Sequence, residues 1–155
     1  MNPAARLDEE LGAMQALRDL LQQEQAALSV ADASACEALL SHKAALVAQL
    51  ATLAAERHQA LGDVGQAPNE HGMREWLKQA TEASDTHEAL APWEALILTT
   101  REARALNQTN GALLLQLRAN NQLALQSLRG HRETDGYDPG GQPHPVRHSR
   151  ARAIG

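Results

Sequence analysis

The run "LILTTREARALNQTNGALLLQLRANNQLALQSL", Leu96 to Leu128, constrains the fold more than any other part of the chain. On a helical wheel of about 100° per residue, Leu96, Ala103, Asn107, Asn110, Leu114, Leu117, Asn121, Leu125 and Leu128 fall within one arc of roughly 80°. The arc crosses Asn110-Gly111 without a shift of phase. Asn-Gly is a strong turn signal, yet a turn has no reason to preserve helical phase. The pattern therefore predicts one continuous helix from about Ala91 to Arg129, about 58 Å long at about 1.5 Å per residue. Gly111 costs that helix about 1 kcal/mol relative to alanine.

Two features of this helix raise the question of what it packs against. Asn107, Asn110 and Asn121 sit inside the apolar stripe. They are either seam asparagines that fix register, or donors and acceptors for a bound segment. Ile97, Leu98, Leu115 and Leu123 lie off the stripe. A helix apolar on more than one side is buried on more than one side. It is either central in a bundle or presents a second face to a partner.

The rest of the chain supports an all-α architecture. Aromatic residues make up 2% of the sequence and phenylalanine is absent, so the core must be built from leucine and alanine. Val and Ile are few, which disfavours a sheet. Asn2-Pro3 reads as a helix start. Leu7, Leu11, Met14, Leu17, Leu21 and Leu28 then recur at helical steps, ending at about Leu28. "SVADAS" breaks the pattern, with Ser29 or Asp32 able to cap a second helix. That helix carries Leu39, Leu46, Leu50 and Leu53 and runs to about Leu61, with Gly62 as its C-cap. A loop to Asn69 leads into a short helix, about Glu70 to Ala83. Asp85 and Thr86 offer caps, and Pro92 suits a first turn. The expected fold is an antiparallel bundle of three long helices and one short one over residues 1–129, with Trp76 and Trp93 at its periphery or near the short helix. Leu114 belongs to this core in the expectation, and Leu115 and Leu123 do not. Residues 130–155 are rich in Gly, Pro, His and Arg, and are expected to be a disordered tail.

Little here suggests chemistry. The net charge of −5 argues against a nucleic-acid groove. Cys36 stands alone, which excludes an internal disulfide and suits a reducing cytoplasm; it reads as structural or incidental. No apolar run approaches the roughly 20 residues of a membrane span, so no membrane insertion is expected, and no signal segment precedes the first helix. His71 and Glu75 share a helix face, but two ligands do not make a zinc site. Cys36 and His42 lie on different faces, which disfavours a nucleophile–base pair. No catalytic residue, metal or cofactor is expected, and the chain does not read as an enzyme.

Three segments together resemble the FlgN family of flagellar export chaperones. "LRDLLQQEQAALSVADASACEALLSHKAALVAQL" is similar to that family's opening helical hairpin. "LNQTNGALLLQLRANNQLALQSL" resembles its LN-x-x-NG core followed by a further Asn. "GYDPGGQ" is similar to its short tail motif, in the departing order Tyr137-Asp138-Pro139-Gly140-Gly141. The resemblance implies a cytoplasmic chaperone that binds the C-terminal helical segments of hook–filament junction proteins and delivers them to the type III export gate. Partner-binding candidates are then Leu98, Asn107, Asn110, Leu115, Asn121, Leu123 and Tyr137. The alternatives are a homo-oligomeric coiled-coil scaffold, in which the asparagines specify self-association, and a general helical adaptor.

Overall fold

The computed structural model describes residues 2–82 and 87–134. They are 89% helical, with no strand among them. Four helices follow in order: α1 (Leu7–Ser29), α2 (Ala33–Asp63), α3 (Glu70–Glu82) and α4 (His87–Thr134). The chain divides into two units, Met1–Leu117 and Arg118–Gly155.

The helix ends follow from local chemistry. Asn2 Oδ1 accepts the Ala4 N–H at 2.8 Å. This starts a turn rather than the helix proper, which begins at Leu7 with Asp8, Glu9 and Glu10 in its first turn. Three carboxylates there suit the positive end of the helix dipole. α1 closes in a Schellman motif: Asp32 N–H donates to Ala27 O (2.9 Å) and Ala31 N–H to Leu28 O (3.1 Å). That motif puts Ala31 at φ +54°, a left-handed conformation that costs a residue with a Cβ about 1–2 kcal/mol. Asp32 then caps α2 by accepting the Ala35 N–H at 2.9 Å, as one of the two expected residues.

α2 ends later than expected. Gln66 N–H donates to Leu61 O (2.8 Å) and Gly65 N–H to Gly62 O (3.0 Å). The left-handed residue is Gly65, at φ +77°, not Gly62, which remains inside the helix. At the start of α3, Asn69 Oδ1 accepts the Gly72 N–H at 2.9 Å. Gly72 is pressed against the Ala67 backbone, where an added Cβ would lie 2.8 Å from the Ala67 carbonyl carbon.

α4 runs unbroken through Asn110-Gly111, as its phase predicts. It starts at His87, earlier than expected, so Pro92 lies inside the helix rather than in its first turn. With no N–H, Pro92 cannot bond the carbonyl one turn earlier. α4 also continues beyond Arg129 to Thr134. The rest of the expected tail lies outside the described residues, as do Asp85 and Thr86.

α1 and α2 form an antiparallel hairpin: Arg6–Glu56 and Glu10–Arg57 pair the start of α1 with the later part of α2, and Glu24–Lys43 pairs the end of α1 with the earlier part of α2. Contacts from α1 to α4 step in the same direction, from Arg18–Glu102 to Glu24–Asn110. α4 therefore runs parallel to α1 and antiparallel to α2. The main core joins all four helices through Leu7, Leu61, Met73, Leu77, Trp93 and Leu96. Ala13, Leu50 and Leu53 form a second cluster within the hairpin. Trp93 is buried in the core with Met73 and Leu77 of the short helix α3, rather than at the periphery, while Trp76 packs against that core half-buried. The Arg57 guanidinium lies 5.1 Å from the Trp93 ring centroid, within cation–π range. The same guanidinium makes two bonds to Glu10, at 2.9 and 3.1 Å. Its charge is thus satisfied from two helices, as a buried cation requires.

α2 meets, by length and composition, the requirement for crossing a membrane. The expectation of no such run missed it because alanines fill the spaces between the leucines. Leu46, Leu50 and Leu53 of this helix are buried in the bundle.

Candidate partner-binding surfaces

The seven candidate residues fall into distinct environments. Asn110 is 3% exposed. Its Nδ2 donates to Leu21 O at 2.9 Å and to Glu24 Oε2 at 2.8 Å. Glu24 in turn accepts from Lys43 Nζ at 3.0 Å. One amide and one ion pair therefore join α1, α2 and α4. Among the described residues Asn110 Oδ1 has no hydrogen-bond partner, so the seam is polar and incompletely satisfied there. In this arrangement Asn110 bonds its own chain. Asn107 and Asn121 are exposed. Asn107 was read as part of the stripe; it lies about 60° round the helix from Asn110, at the edge of the arc away from the Asn110 contact with α1.

Burial along the stripe is uneven. Leu96, Ala103 and Asn110 are buried at successive heptad steps. Leu117, one step further, is half-buried. Leu114, expected in the core, is exposed. α1 ends at Ser29, and at the observed register Ser29 stands level with about residue 117 of α4. In the unit from Arg118 onward, Leu123, Leu125 and Leu128 are all exposed. Off the stripe, Leu115 is 67% exposed and Leu123 64%.

Leu98, 60% exposed, belongs to a different place. It lines a groove of about 760 Å³ between α3 and α4, with Leu77, Leu90, Trp93 and Ile97. Arg74, Lys78, Arg101 and Glu94 complete its walls. Sequence reasoning found Leu98 by its phase but missed the α3 residues, since nothing in α3 alone shows where it lies against α4. Tyr137 lies outside the described residues.

Few groups are electrostatically perturbed. Burial holds the His58 imidazole below its usual range; the neighbouring Arg57 acts in the same direction and Glu10 opposes. A hydrogen bond from Lys78 lowers the Glu75 carboxyl, with Lys78 charge and His71 adding to it. Among the described residues no group of three His, Cys, Asp or Glu side chains converges on a point that could hold a metal ion. Cys36 is free and half-buried.

The geometry defines an all-α bundle in which one long helix carries leucines that the rest of the described chain does not cover. The family comparison makes this specific. The family model described as FlgN protein matches residues 1–145, and the chain belongs to the FlgN family, a family of flagellar export chaperones. No curated protein and no solved structure matches the chain.

Proposed function

We propose that this chain is a cytoplasmic chaperone for hook–filament junction proteins. It binds their C-terminal helical segments, keeps them soluble and hands them to the flagellar type III export gate. Family membership supports the chaperone role. The observation that carries the finer reading is the exposed leucine set of α4: Leu115 and Leu123 off the stripe, Leu125 and Leu128 on it. Large aliphatic residues exposed on more than one side of a helix leave more than one face for partners to cover. A client helix would lay i, i+3, i+4 and i+7 anchors against them. Asn107 and Asn121, exposed on the same helix, would bond the client's polar groups. Tyr137 would add one amphipathic ring, toward the client or the gate.

Native mass spectrometry of the chain with the C-terminal region of a junction protein tests this. A hetero-complex is expected, weakened at least about tenfold by Leu123→Asp, since a buried charge in an apolar contact costs well over 1.4 kcal/mol. The melting temperature of the variant should match that of the parent. A homo-oligomer that ignores the junction region would favour the coiled-coil scaffold instead.

A further inference from the structure

The α3–α4 groove has no role in the reading above. Its floor is apolar and largely covered: Leu77 and Trp93 are buried and Ile97 is half-buried. Its lips, Leu90 and Leu98, are exposed. On α4 the lining residues Leu90, Glu94, Ile97, Leu98 and Arg101 follow i, i+4, i+7, i+8, i+11 spacing, which is one helix face. On α3, Arg74, Leu77 and Lys78 do the same at i, i+3, i+4. Two parallel-sided helix faces with a recessed apolar floor form a trough for a third helical segment.

The walls carry three cations and one carboxylate, on a chain whose net charge is −5. The cations have partners outside the trough: Arg74 with Glu70, Lys78 with Glu75 at 2.6 Å, and Arg101 with Glu70 at 3.9 Å. All are surface pairs with exposed side chains on the cation side, and such pairs hold their partners weakly. An incoming carboxylate can replace them at little cost. We propose that this trough docks an acidic amphipathic helix of a protein partner. Two or three aliphatic side chains fill the space above Leu77, Trp93 and Ile97, and flanking Asp or Glu pair with Arg74, Lys78 and Arg101. The last part of this chain is a poor occupant, because its Arg147, Arg150 and Arg152 share the sign of the walls. A flat bilayer is also disfavoured, since its surface does not reach a recessed floor. Leu98 and Leu115 are about 25 Å apart along α4 at about 1.5 Å per residue, so the trough is separate from the leucines proposed to hold the client.

Fluorescence anisotropy on the full chain tests the proposal. The probe is a labelled helical peptide of about five turns, with leucines at i, i+3, i+4 and i+7 and glutamates elsewhere. A second probe keeps the leucines and replaces the glutamates with lysines. The acidic peptide should bind at least about tenfold more tightly than the basic one, with an affinity that falls as salt rises. Leu98→Asp should weaken it at least about tenfold, and Arg101→Glu with Lys78→Glu should remove the preference for the acidic probe. These side chains are exposed, so thermal melts should be unchanged. Leu123→Asp should leave peptide binding intact, which separates failure here from failure of the client reading. No binding of the acidic probe, equal binding of both probes, or indifference to Leu98→Asp would overturn the proposal. So would Leu98-dependent dimerisation, Leu98-dependent sedimentation with anionic vesicles, or displacement of the probe by the junction region.

Discussion

The two parts of α4 share one pattern and meet opposite fates. Leu96, Ala103 and Asn110 of the stripe are inside the bundle. Leu125 and Leu128, on the same stripe, face solvent. Periodicity reports the capacity of a helix face to be buried, and says nothing about whether the cover comes from the same chain. The hairpin itself turns at Val30–Asp32. The polar link of Asn110 to Leu21 and Glu24 stands close to that turn.

Paired substitutions break or sharpen this contrast. The largest effect is expected from Leu96→Ala, where a side chain 2% exposed leaves a cavity; the cost should be about 2–5 kcal/mol in chemical denaturation. Leu125→Ala, on the same stripe but 57% exposed, should stay within about 0.5 kcal/mol. Equal losses would show that Leu125 is core after all. Next is Asn110→Ala at the border between the two regions. It removes two hydrogen bonds and leaves Glu24 less satisfied, for an expected loss of about 1–3 kcal/mol. A neutral result would mean that the amide network does not hold α4 to the hairpin.

Ala31→Gly acts on the turn between α1 and α2. Relief of the left-handed strain should raise stability by about 0.5–1 kcal/mol, and a lower melting temperature would contradict the φ of +54°. The smallest effect concerns His58 at the covered end. Its folded-state pKa lies below the unfolded one, so folding is favoured fully above the unfolded value of about 6.5. Stability should decline as pH falls through that value toward the depressed one. In His58→Gln this part of the decline should be absent from melts taken between about pH 7 and 5.

Much of the fold was legible because it rests on period and caps. Phase alone carried α4 through Asn110-Gly111, and the start of α2 was narrowed to a cap at Ser29 or Asp32, of which Asp32 is the one used. What misled was local plausibility. Gly62 and Gly65 both look like C-caps, and only the hydrogen bonds of Gln66 and Gly65 distinguish them. The pattern leaves Trp93 open between the periphery and the short helix; it lies three residues before Leu96 on the same side of α4, and it packs on Met73 and Leu77 of α3. Its contact with Arg57 joins residues distant in sequence. The candidate surfaces were legible as residues but not as places. Leu98, Asn110 and Leu123 looked like members of one helix. Sorting them into a trough, a seam and an open face requires the register of α4 against α1 and the position of α3.

Gly72 shows another kind of constraint. It contributes no apolar area and no charge, yet the Ala67 backbone occupies the space that any side chain would need. Variation at this position is limited by the volume denied to it rather than by any attraction it makes. The wall of the trough formed by α3 inherits that restriction, since Arg74, Leu77 and Lys78 all follow Gly72 on the same short helix. In a lineage of such chains, residues of the trough could change freely with their partner, while the glycine that sets the start of their helix could not.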